Sequence, residues 1–81
     1  MNIQLIKGDF SPADTIDLIT QMIHVKIKYH ENKISQQNNQ EDTKMREAKI
    51  KQLQKDLLDL RNNIGKNSGN VSIESKIILN P

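Results

Sequence analysis

The sequence of 81 residues contains no cysteine, no tryptophan, one tyrosine and one phenylalanine. Without cysteine there can be no disulfide and no thiolate ligand for the common structural zinc sites. A chain of this size buries only about 60–65% of the surface that it exposes when unfolded, so small domains usually need a disulfide, a metal or a partner subunit. We therefore expect a partner subunit to stabilise the fold.

Charge of one sign and long hydrophobic runs are also lacking. The 12 basic and 10 acidic side chains leave a net charge of +2, which is too balanced to require a nucleic acid or a membrane as partner. Two aromatic residues are too few for a base-stacking platform. No stretch approaches the ~18 apolar residues of a membrane span, and the first residues do not read as a signal peptide. These features predict a cytoplasmic protein without a membrane partner.

Residues for catalysis or cofactor binding are scarce. The three glycines are isolated and form no phosphate-binding loop. His24 and His30 lie six positions apart, which places them about 120° apart on a helix, so they do not converge on one metal within a chain. We expect no enzymatic activity, no cofactor and no metal site.

The order of sequence patterns predicts a β-α-α-β fold of the α+β class that is mostly helical. Ser11 followed by Pro12 is a typical helix start, and Gly65 is a typical helix end. Gly8 and Asp9 are expected to end the first strand. The predicted single domain spans 1–81, with a strand at 2–7, a helix at 12–35, a tip at 36–40, a helix at 41–64, a loop at 65–70 and a strand at 71–79.

The second helix carries a single apolar stripe with the 3, 4 spacing of a coiled-coil seam. We expect the two helices to fold back on each other about the tip as an antiparallel hairpin. In such a hairpin the numbers of two facing residues have a constant sum, which is about 76 here. This register places Ile23 opposite Leu53 and His30 opposite Arg46. The stripe of the second helix contains Ile50, Leu53, Leu57, Leu60 and Ile64.

The first helix is apolar over an arc of about 200°, whereas one partner surface needs about 100°. One row of the arc faces the second helix, which leaves a second row without a partner in the hairpin. We therefore predict a homo-oligomer, most simply a homodimer with a four-helix bundle, that acts as an interaction or scaffold module; an unknown protein partner is the other possible occupant. The predicted self-interface contains Leu18, Met22, Val25, Tyr29 and Leu58.

Basic residues near the tip indicate an alternative function, in which the chain is a nucleic-acid-binding module. Phosphate binding favours uninterrupted positive charge, and the interspersed acidic residues weaken this alternative. The candidate anion or nucleic-acid contacts are Lys26, Lys28, Lys33, Lys44, Arg46, Lys49 and Lys51.

Three stretches of the chain are similar to a group of small bacterial proteins of uncharacterised activity. They are residues 7–13 (KGDFSPA), 29–34 (YHENKI) and 45–53 (MREAKIKQL). The resemblance covers nearly the whole chain and rests on helix caps and apolar seams. It implies the strand–helix–helix–strand shape and carries no activity, cofactor or site residue with it.

Overall fold

The computed structural model describes residues 1–36, 39–66 and 68–81. Its elements are β1 (Asn2–Phe10), α1 (Pro12–Gln36), α2 (Gln40–Ile64) and β2 (Val71–Ile78). The β-α-α-β order and the largely helical content confirm the predicted fold. Gln36 and Gln40, the two ends of the predicted tip, are helical. Residues 37–38 of the predicted tip and residue 67 of the predicted loop lie outside the described residues.

The first strand is longer than the sequence predicts. Gly8 and Asp9 were expected to end it at about residue 7, but β1 continues to Phe10. Gly8 has a φ of 155°, a conformation that side chains disfavour and glycine tolerates. The strand therefore passes through Gly8 because this residue adopts an unusual backbone angle, and the prediction that it would break the strand is wrong.

The two strands form an antiparallel sheet with a bulge in β1. Ile3 pairs with Ile77 before the bulge and Ile6 pairs with Ser75 after it, while Leu5 has no partner in this register. Leu5 is therefore the extra residue that interrupts the regular pairing of β1. The Nε2 atom of Gln4 donates to the carbonyl oxygens of Ile6 (3.2 Å) and Ser75 (3.0 Å) and so bridges the irregularity.

Each helix begins at a side-chain cap. The Asp14 N–H donates to Ser11 Oγ over 3.1 Å at the start of α1, as the sequence predicts. Asn39 Oδ1 accepts from the N–H groups of Glu41 and Asp42 at the start of α2. Such bonds satisfy amides that have no partner within the helix.

The helix α1 is the centre of the molecule. Its backbone comes close to α2 and, at fewer positions, to both strands, whereas the backbone of α2 comes close to neither strand over the described ranges. The molecule measures 46 × 33 × 13 Å along its principal axes, so its shortest dimension is less than a third of its longest. The chain is therefore a flat slab.

No apolar side chain of the described residues is fully buried. The two side chains that are buried are both polar, Thr15 at 1% exposure and His30 at 5%. Domains ordinarily enclose a core between two packed layers. In this chain the described apolar side chains are half-buried or exposed instead.

We expect the Asn39→Ala substitution to lower the free energy of unfolding by about 1 kcal/mol, since it removes the acceptor for two helix amides. Thermal or urea unfolding followed by circular dichroism measures the change. Asn39→Asp is the matched control, because it keeps the acceptor and adds a negative charge where the helix dipole favours one. Equal stability of the two variants would contradict the role of this cap.

Candidate interaction surface

The apolar stripe of α2 faces α1. All five residues of the stripe are half-buried, and most other residues of α2 are exposed. Among the described elements only α1 comes close to the backbone of α2, so most of the burial of the stripe comes from the hairpin. The seam predicted from the sequence is thus used within the chain.

A polar pair confirms the predicted register of the hairpin. Arg46 Nη1 lies 2.9 Å from His30 Nδ1, and these two residues are the ones that the register places opposite each other. Arginine has no acceptor, so Arg46 donates this hydrogen bond and His30 Nδ1 accepts it. The sequence thus locates a contact between residues that are 16 positions apart.

Arg46 is held on several sides. Its Nε atom forms an ion pair with Asp42 Oδ2 at 2.8 Å, one turn earlier on α2. Its guanidinium carbon lies 5.8 Å from the centre of the Tyr29 ring, close enough for a cation–π contact. The Tyr29 ring also meets the His30 ring edge to face at 5.5 Å. The four residues form one cluster, called the His30–Arg46 cluster below.

The hydrogen bond from Arg46 fixes the tautomer of the neutral His30 ring. Because Nδ1 accepts a hydrogen bond, the neutral imidazole carries its proton on Nε2. Burial lowers the pKa of His30 below its ordinary value of 6.5, and the positive charges of Arg46, Lys49 and Lys26 lower it further, against a smaller opposing effect of Asp42. The Nε2 atom is buried and has no hydrogen-bond partner in the described structure.

The predicted self-interface divides into a covered part and an open part. Leu18 and Met22 are half-buried, while Val25 is 71% exposed and Tyr29 is 53% exposed. On α2, Leu58 is 58% exposed. The sheet explains part of the wide apolar arc of α1, which the sequence alone had assigned to another chain.

An apolar groove of about 350 Å³ separates the sheet from the hairpin. Met22 reaches it from α1, Leu53 from α2, and Ile6 and Ile73 from the two strands. Sequence reasoning missed this groove. The alternation of β2 marks Ile73 as an inward residue, but no sequence signal shows against which helix the sheet packs. The full lining is Ile6, Ile19, Met22, Ile23, Lys26, Leu53, Ile73, Glu74 and Ser75.

The sheet becomes more exposed toward the end that carries Met1. Val71 and Ile73 are half-buried, whereas Ile77 is 39% exposed and Leu79 is 45% exposed. These four residues share one face by alternation. That face is therefore covered near the start of α1 and open at the other end, which only partly matches the half-buried strand predicted for 71–79.

The predicted basic contacts do not behave as one set. Arg46 is engaged within the cluster, and Lys33 Nζ lies 5.8 Å from the Tyr29 ring centre. Lys26 and Lys49 lie near enough to His30 to lower its pKa, and both are exposed. Lys28, Lys44 and Lys51 are exposed as well.

In the part of the chain that the structure describes, no three histidine, aspartate or glutamate side chains lie close enough together to hold a metal ion, and His24 is exposed. No helix in that part of the chain has the length and apolarity needed to cross a membrane.

Comparison with known proteins finds no match among family models, curated proteins or solved structures. The resemblance to small bacterial proteins noted from the sequence thus stays a prediction.

We expect the stability of the hairpin to fall as the pH is lowered through about 6.5, the ordinary pKa of histidine. The pKa of His30 is lower in the folded chain, so the unfolded chain binds the proton first and the loss levels off below the folded pKa. Urea unfolding at pH 7.5, 6.5 and 5.5 measures this slope. Protonation would place an N–H of His30 against the donors of Arg46.

The matched variants for this experiment are His30→Gln and His24→Gln. The first removes the buried titrating group and should flatten the slope around pH 6. The second changes an exposed imidazole and should leave the slope as it is. A slope that persists in His30→Gln would assign the pH dependence to another group.

Proposed function

We propose that the chain is a non-enzymatic interaction or scaffold module that works as a homo-oligomer, with a homodimer as the simplest form. The observation that carries this proposal is the lack of a buried apolar side chain in the described residues. A domain is ordinarily stabilised by an enclosed apolar core, and a second copy packed on the exposed apolar positions would supply one.

The exposed area supports the proposal quantitatively. The chain exposes 6281 Å², whereas a folded monomer of 9.3 kDa is expected to expose only about 5,000 Å². The excess is ~1,300 Å² per chain, and a standard protein interface buries ~800 Å² per partner. Removing the whole excess takes an interface of ~2,600 Å² in total, which is larger than the standard size and falls in the range of obligate homodimers.

The shape supports the same proposal. The Cα radius of gyration is 15.2 Å, compared with about 12 Å for a compact domain of 81 residues. A second copy of the slab would supply an apolar face to cover the first. Both copies carry the same groove and the same open row, which consists of Val25 and Tyr29 on α1. The open positions Val25, Tyr29 and Leu58 are then the residues whose burial would drive association.

We expect Val25→Glu and Leu58→Glu each to weaken the oligomer by at least tenfold, because each places a charge in the proposed apolar interface. Light scattering on a sizing column over a concentration series measures the molar mass. Both positions are exposed in the single chain, so circular dichroism should show an intact fold. His24→Glu, which changes an exposed neighbour, is the control and should leave the molar mass unchanged.

A wild-type molar mass of one chain at all concentrations would contradict self-association. The open row would then be a surface for a different protein. Equal weakening by His24→Glu would show that charge alone, and not burial of Val25, causes the effect.

Nucleic-acid binding through the basic residues remains the second candidate. The exposure of most of the predicted basic contacts, among them Lys26 and Lys49, supports it. Arg46 is already paired with Asp42, so the contacts would come from the lysines. Gel-shift titration with random duplex DNA tests it at low salt, where nonspecific affinity is greatest. Absence of binding there would end this proposal.

A further inference from the structure

The free edge of β2 is regular, whereas the free edge of β1 is not. The bulge between Gln4 and Ile6 interrupts β1, and bulges are a common device against pairing at a sheet edge. No bulge or positive φ of a non-glycine residue occurs in β2. In the described residues the sheet contains two strands only, so the outer edge of β2 offers an uninterrupted row of backbone donors and acceptors.

The hydrogen bonds at Leu79 show which backbone groups point to this edge. The Leu79 N–H donates to the Met1 carbonyl oxygen (2.8 Å), and the Met1 amine donates to the Leu79 carbonyl oxygen (3.0 Å). The direction alternates along a strand, so Ser75 also points at β1, which its contact with Gln4 supports. The residues whose N–H and C=O point outward are Ser72, Glu74, Lys76 and Ile78.

Charge selects one register for pairing two copies of this edge. With an antiparallel twofold axis at Ser75, Glu74 of each copy lies opposite Lys76 of the other. An axis at residue 74 would oppose two glutamates, and an axis at residue 76 would oppose two lysines, and like charges directly opposite are destabilising. A twofold axis before residue 74 or after residue 76 would leave Glu74 and Lys76 without a charged residue opposite them, and it would shorten the paired segment.

We propose that two copies of the chain pair through their β2 edges, antiparallel about Ser75, to form a continuous four-stranded sheet. The pairing rests on the self-association proposed above and names its geometry. All outward residues of one strand then meet outward residues of the other, which gives about eight interchain backbone hydrogen bonds.

The same register covers the open end of the sheet. It places Leu79 beside Val71 of the second copy, and Ile77 beside Ile73. The exposed apolar end of each sheet thereby adjoins the end that packs against α1 in the other copy. The groove is continuous with this interface, because Ile73, Glu74 and Ser75 line it.

A single cysteine at the axis tests the register. Ser75 is the one position that meets itself, as a pair without mutual hydrogen bonds and with Cα atoms about 4.5 Å apart, a distance that a disulfide can span. The natural sequence has no cysteine, so Ser75→Cys treated with oxidised glutathione should give a covalent dimer on a non-reducing gel. Ser72→Cys is the control, because the two copies of residue 72 would lie ~20 Å apart.

Charge reversal provides an independent measurement. Glu74→Lys creates two like-charge pairs across the axis and should weaken the dimer about tenfold in light scattering. The double variant Glu74→Lys/Lys76→Glu restores opposite charges and should return the dissociation constant to within about threefold of the wild type. Both residues are exposed in the single chain, so the fold should not change.

The outcomes separate this inference from the proposed function. A wild-type monomer would overturn both. A wild-type dimer that is unaffected by Glu74→Lys, with no crosslink through Ser75→Cys, would overturn the edge pairing and leave self-association through the α1 row. A crosslink through Ser72→Cys of equal yield would overturn the register.

Discussion

The packing of α1 against both α2 and the sheet is the interaction on which the rest of the structure depends. The backbones of α2 and the strands do not come close to each other in the described structure, and α1 comes close to both. This explains why the apolar arc of α1 is about twice as wide as one partner surface requires.

The two halves of the hairpin are joined in different ways. Toward the sheet, apolar side chains such as Ile23 and Leu53 meet across the groove region. Toward the tip, the His30–Arg46 cluster takes their place, with Arg46 satisfied by an ion pair to Asp42 and a hydrogen bond to His30. A buried polar pair is directional, so it favours one register of the hairpin over shifted ones more strongly than an apolar seam does.

The open faces give the slab its proposed role. A chain with a normal exposed area would have little reason to associate, whereas this one exposes ~1,300 Å² more than its mass predicts. Self-pairing through the regular edge of β2 would extend the sheet to four strands. The proposed assembly therefore follows from two independent features, an incomplete core and an unprotected strand edge.

The sequence alone determined the elements and much of their pairing. Caps such as Ser11 and the spacing of the α2 stripe depend on local geometry. The hairpin register predicted from the sequence also located the contact of His30 with Arg46. Local patterns failed at Gly8, where a strand continued through a residue that usually ends one. They also could not show the bulge after Gln4, which depends on the partner strand.

The tertiary structure alone decided where the sheet lies and which part of α1 it covers. Periodicity shows that Met22 and Val25 are both apolar and on one side of a helix, but it cannot show that Met22 lines a groove with Ile73 while Val25 is open. That difference arises because burial depends on contacts between residues about 50 positions apart. The order of the helices and strands follows from the local spacing of apolar and capping residues. Which apolar residues of α1 stay exposed is decided by how the sheet packs against this helix.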